Sequence, residues 1–128
     1  MDHSHCVFCA IVERKAPATY VEGWPDAIAI IPLNPVVEGH RLVIPRVHVP
    51  DAMAEPIVTG AVFARAAELA DIESLIDFNL ITSCGANATQ TVFHLHVHLV
   101  PRHEGDGLHL PWTGQAQVGE NVVVDKSS

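Results

Sequence analysis

Seven consecutive residues constrain this chain more than any others. In Phe93-His94-Leu95-His96-Val97-His98-Leu99, apolar residues and histidines alternate without a break. Successive side chains of an extended strand point to opposite faces, so the segment reads as a strand over 92–100. Phe93, Leu95, Val97 and Leu99 would bury one face. His94, His96 and His98 would form a row on the other, spaced by roughly 6.7 Å, two residues of strand rise. Thr, Lys or Glu would solvate an exposed face equally well, so three histidines in strict alternation point to chemistry. The chain holds nine histidines, more than its seven Lys and Arg together.

Turn signals divide the rest into short elements. Val7 to Lys15 has apolar residues at 7, 8, 11 and 12 and reads as a helix that Ala16-Pro17 stops. Strands are expected over 19–22, 27–31, 41–45 and 77–82, bounded by Pro, Gly or small polar residues. Val58, Val62, Ala66 and Leu69 keep helical spacing, which predicts a helix over 54–70 with Pro56 in its first turn. Val122-Val123-Val124 is a further short strand candidate. Five strands and two helices with hairpin-length connections suggest an α+β fold with a mainly antiparallel sheet, the long helix leaving room for one parallel crossover. No repeat, linker or low-complexity stretch interrupts the 128 residues, so one domain over 1–128 is expected.

Charge narrows the partners. Fifteen Asp and Glu against seven Lys and Arg give a formal charge of −8, which argues against a broad basic footprint on extended nucleic acid. A pocket for one nucleotide stays compatible with it. No run approaches the roughly 18 apolar residues of a membrane-spanning helix, and the N-terminus lacks the basic-then-apolar order of a secretory signal. A cytoplasmic, reducing setting is therefore expected. There the pair Cys6-x-x-Cys9 more often holds metal or does redox chemistry than forms a structural disulfide. Cys84 stands apart and reads as a packing residue.

Imidazole rows support two chemistries. His-x-His on a strand is half of a catalytic metal site. Neutral imidazole, with an ordinary pKa of about 6.5, is also a nucleophile that attacks phosphorus and forms a covalent intermediate. Phosphoryl transfer needs donors around the moving group. Gln90 and Thr91 at the loop end, and His98 when protonated, are candidates. Cys6 and Cys9 supply half of a tetrahedral zinc site. His48 is a reasonable third ligand, and one histidine of the row a fourth.

The segment His94-Leu95-His96-Val97-His98-Leu99-Val100 resembles the signature of the histidine triad (HIT) family, His-φ-His-φ-His-φ-φ with φ apolar. The likeness continues outside the motif. It includes Cys6 to Val12, Asn34-Pro35 with Gly39 to His48, Gln90 to Phe93, and Pro101-Arg102. Together these span about residues 6–102 and leave 103–128 as a tail. The resemblance implies a HIT-like fold, a five-stranded sheet continued across a homodimer. It implies a nucleotidyl hydrolase or transferase acting on the α-phosphate of a nucleotide such as an AMP derivative, with nucleoside phosphoramidates, dinucleoside polyphosphates and nucleotide sugars as typical substrates. By the same resemblance His96 is the nucleophile, His98 contacts phosphate and His40 supports the cluster. Cys6, Cys9, His48 and His94 would hold one structural zinc per chain. Gln90, Thr91 and Ser83 fall near the phosphate. Val7, Phe8, Ile11, Ile30 and Leu33 would enclose base and sugar, although apolar residues of this kind equally suit a core.

Three positions depart from the family pattern. Pro32 stands where relatives often carry an Asp that holds the ribose hydroxyls, Ser83 where they often carry Asn, and Thr89 where they commonly carry Gly. These changes spare the nucleophile and bear on nucleoside specificity and rate. Two other functions compete: a metalloenzyme built on His94 and His96, and a non-catalytic nucleotide-binding or zinc-stabilised interaction module.

Overall fold

A computed structural model describes residues 5–113. The strand expected at 122–124 lies outside the described residues. The order is α1 (Val7–Val12), β1 (Thr19–Gly23), β2 (Ala27–Ile31), β3 (Arg41–Pro45), α2 (Pro56–Ile72), β4 (Phe78–Ile81), a 3-10 turn at Ala86–Ala88, and β5 (Val97–Pro101). One five-stranded sheet runs β1-β2-β3-β5-β4, and every recorded pair is antiparallel. After α2 the chain lays down β4 at an edge, and β5 then fills the gap beside β3. The crossover therefore produces no parallel pair among the described residues.

Local chemistry explains most boundaries. β2 and β3 span the expected residues because Pro32 and Pro45 punctuate them. Proline occupies the first turn of α2, where its missing N–H has no helical partner to lose. α1 is shorter than expected: Arg14 takes φ 63, in the left-handed region, and the Lys15 N–H closes on the Ala10 carbonyl at 2.8 Å.

Alternation along the strands sorts the core into two layers. Ala27, Ala29, Val43, Val97 and Leu99 pack with Val62, Ala66 and Leu69 of α2. Ile28, Ile30, Leu42 and Ile44 pack on the opposite face with Phe8 and Ile11 of α1. Fully burying side chains such as Ile44 and Leu99 contributes about 1.5–3 kcal/mol each. His98 pairs with Leu42 across β3 and β5, which places it on the α1 face.

The histidine segment departs from the simple strand. β5 begins only at Val97, so Phe93 to His96 lie ahead of the ladder. Leu95, Val97 and Leu99 are buried as alternation requires, but Phe93 is 52% exposed and His94 0%. The His94 ring turns inward, where its Nε2–H donates to the Pro45 carbonyl at 3.0 Å. The Leu95 N–H bonds the Val49 carbonyl at 2.8 Å. These two ties draw the chain off the ladder and overturn the uniform row expected over 92–100. Cys84 is exposed, so it is not the packing residue expected. No helix among the described residues is long and apolar enough to cross a membrane.

Candidate active site and metal centre

Four side chains from distant parts of the chain converge beside α1. One ligand atom each from Cys6, Cys9, His48 and His94 lies within 4.8 Å of all the others. Cys6 caps α1, its Sγ accepting the Cys9 N–H at 3.4 Å, which folds both thiols toward one point. His94 Nδ1 stands 3.4 Å from Cys6 Sγ, 3.5 Å from Cys9 Sγ and 3.2 Å from His48 Nδ1, and Cys9 Sγ lies 3.2 Å from His48 Nδ1. A tetrahedral zinc at its usual bond lengths separates S from N by about 3.5 Å and N from N by about 3.3 Å. The group therefore fits a four-coordinate metal. His94 also has the partner that such ligands take: with Nε2–H on a backbone carbonyl, the Nδ1 lone pair faces Cys6, Cys9 and His48. Without an ion, burial, the neighbouring Cys6 and the charge of Glu13 push the Cys9 thiol up to about 11. A dication in the group reverses that preference and favours thiolates.

The other histidines lie alongside. The Phe8 and His96 rings meet in a T-shaped contact with centroids 5.1 Å apart, and the His96 and His98 centroids are 5.2 Å apart. His96 Nδ1 stands 2.8 Å from the His94 carbonyl oxygen. A carbonyl only accepts, so Nδ1 carries the proton and the neutral ring keeps a lone pair on Nε2. Burial lowers the His96 pKa against the opposing pull of that hydrogen bond, so the ring stays neutral near pH 7.

A second chain of bonds fixes His40 and His98. The Val36 N–H donates to His40 Nδ1 at 3.1 Å. The proton of neutral His40 is then on Nε2, which donates to His98 Nδ1 at 2.9 Å. His98 in turn carries its proton on Nε2. Burial and the nearby His96 and His40 push His98 down to about 4, and burial with the Arg41 charge also lowers His40. His98 thus offers an N–H while neutral, where the sequence suggested a protonated donor. Gly39 sets the entry to His40 at φ 90, and a Cβ there would stand 3.0 Å from Pro101 Cγ.

The remaining candidates separate. Gln90 is 4% exposed, its Oε1 accepting the Gly85 N–H at 2.8 Å and its Nε2 donating to the Pro50 and Val92 carbonyls at 2.7 and 3.1 Å. Its amide donors are thereby engaged in bracing the 85–92 loop. Thr89 in that loop takes φ 71, a left-handed position. Thr91 is exposed and, with His5, Cys6, Val7, Val92 and Phe93, lines a cavity of about 350 Å³. Ser83 is half-buried just past β4. Phe8, Ile11 and Ile30 are buried in the α1-side core, Val7 is half exposed, and Leu33 stands free of the core at 97% exposure. The Pro45 carbonyl and the Val36 N–H, which orient two histidines, are backbone groups that no side-chain pattern announces.

Comparison with known proteins identifies relatives over most of the chain. The HIT domain profile matches residues 13–105. Adenylylsulfatase HINT3 of Arabidopsis thaliana is 31% identical over 130 residues, covering 96% of this chain and 64% of that protein's length. An uncharacterised HIT-like protein of Mycobacterium tuberculosis is 36% identical over 80% of this chain and 75% of its own length. Among solved structures, a HIT family hydrolase from Clostridium thermocellum superposes with a TM-score of 0.73 at 32% identity, covering 81% of this chain and 96% of that one. A Zn-bound histidine triad family protein from Mycobacterium smegmatis does so with a TM-score of 0.70 at 39% identity, covering 81% and 79%. Fold, motif and matched length lead to one conclusion: the chain belongs to the histidine triad, or HIT, family.

Proposed function

We propose that this protein is a nucleotidyl hydrolase or transferase that attacks the α-phosphorus of an AMP derivative through His96. The observation that carries the reading is the bond from His96 Nδ1–H to the His94 carbonyl. It leaves an Nε2 lone pair on a ring that burial keeps neutral. Nε2 forms a bond to phosphorus as the bond to the leaving amine, phosphate or sulfate breaks and that group takes the electron pair. An amine also takes a proton from solvent; a good anionic leaving group needs none. Water, or another acceptor, then attacks phosphorus and gives up a proton to solvent, and the P–Nε2 electron pair returns to His96. His98 Nε2–H donates to a non-bridging phosphate oxygen through both steps. Thr91, Ser83, Val7, Phe8, Ile11, Ile30 and Leu33 are assigned to phosphate and nucleoside contacts, and Gln90 to the loop that frames them.

Cys6, Cys9, His48 and His94 would hold a zinc ion, and with four protein ligands it would serve as a structural tie. This grouping supports the nucleophile reading over a His94–His96 metalloenzyme, because His96 is not part of it. A homodimer and a cytoplasmic setting belong to the same proposal. The test is hydrolysis of adenosine phosphoramidate and of adenylyl sulfate, the latter suggested by the name of the Arabidopsis relative. His96→Asn should lower turnover by at least about 1000-fold. Undiminished turnover would reject the nucleophile. Tight AMP binding with no turnover by the wild type on either compound would favour the non-catalytic module.

A further inference from the structure

His96 sits just where the sheet ends. The last β3–β5 pair is Val43↔Val97, and the last β4–β5 pair is Ile81↔His98. His96 is therefore one residue beyond the first ladder and two beyond the second. A side chain meets its backbone at this point: the Thr82 hydroxyl, on the first residue past β4, donates to the His96 carbonyl at 2.7 Å. Thr82 is half-buried. Ahead of His96 the segment is held at the Leu95 N–H and by the His94 ring.

We propose that Thr82 is a positioning residue for His96. Its hydroxyl extends the hold of β4 past the last strand pair and fixes the peptide that carries the imidazole. The ring's own anchor is only two residues away, at the His94 carbonyl. With both carbonyls held, the Cα–Cβ direction and the ring torsions of His96 are set before substrate arrives. Losing the Thr82 donor frees the His96 carbonyl to turn, and the ring loses its aim without losing its chemistry. Such misplacement lowers the rate of attack more than it weakens ground-state binding.

This inference rests on His96 acting as the nucleophile, and the experiment separates the two claims. Thr82→Val keeps the shape and removes the hydroxyl; Thr82→Ser keeps the hydroxyl and removes the methyl. With adenosine phosphoramidate, Thr82→Val should lower kcat about tenfold with KM changed less than about twofold, and Thr82→Ser should restore kcat. A nitrogen-edited NMR experiment reads the same device without turnover: exchange of the His96 Nδ1 proton should accelerate in Thr82→Val and return to the wild-type rate in Thr82→Ser. If Thr82→Val does not fold, Ser against Ala at this position isolates the hydroxyl in the same two readouts. Wild-type kcat and exchange in Thr82→Val would overturn the proposal, as would equal impairment of Ser and Ala. If the wild type turns over neither AMP derivative, the nucleophile reading fails, while the NMR comparison still decides whether Thr82 positions the ring.

Discussion

His40 Nε2 lies 2.9 Å from His98 Nδ1, and the Val36 backbone N–H already occupies the other nitrogen of His40. The two rings therefore share a single hydrogen-bonded order, which puts the proton of neutral His98 on Nε2. Both rings are shifted toward neutrality, His98 to about 4.

Stability should follow from that shift. Unfolded histidine titrates at about 6.5, so between that pH and about 4 the unfolded chain binds a proton that folded His98 refuses. More protons on the unfolded state means that stability falls as pH drops through this window, at up to about 1.4 kcal/mol per pH unit for one proton, and levels off below it. His40 and His96 act in the same direction. Urea unfolding between pH 4.5 and 7 should show the slope, and His98→Asn should reduce it by close to one proton. An unchanged slope would place His98 in an environment unlike the one described.

Metal content tests the Cys and His group. Purified protein should hold about one zinc per chain. Chelation should lower the unfolding free energy by roughly 3 kcal/mol, the linkage expected when metal stands at about 100 times its dissociation constant. Cys9→Ser should show most of the same loss before any chelator is added. Full stability and full zinc content in Cys9→Ser would contradict the ligand set.

Gln90 offers a test of loop bracing. Its side chain satisfies one N–H and two carbonyls while 4% exposed. Gln90→Ala leaves those backbone groups without it and should cost about 2–4 kcal/mol in thermal or urea unfolding. A loss of activity with no loss of stability would show instead that its amide serves substrate directly.

Gly39→Ala should destabilise by about 1–2 kcal/mol, because a Cβ at φ 90 is strained and meets Pro101 Cγ at 3.0 Å. The shift passes to His40, the next residue, so turnover should fall alongside Tm. Unaltered Tm would mean that the turn adapts freely.

Much of this molecule is readable from residue order alone, for identifiable reasons. β2 is a continuous apolar run closed by Pro32, and β3 runs Leu42-Val43-Ile44 into Pro45, so pattern and punctuation agree. The Cys6-x-x-Cys9 spacing and His48 point to ligand chemistry through residue type, and the fold brings them together with His94. Phe93 and His94 are where the pattern misleads. Alternation assigns them to faces, but the Pro45 carbonyl holds His94 inward, beside Cys6, Cys9 and His48, and Phe93 is left outside. Thr82 escapes notice because a threonine at a strand end has no distinctive signal. Only the fold brings its hydroxyl to the His96 carbonyl.

Rapid-quench mass spectrometry during turnover of adenosine phosphoramidate tests the central claim most directly. The account predicts a transient adenylyl group on the peptide containing His96, localised to that imidazole and absent from His96→Asn. Adenylylation of a different residue, or sustained hydrolysis by His96→Asn, would contradict it.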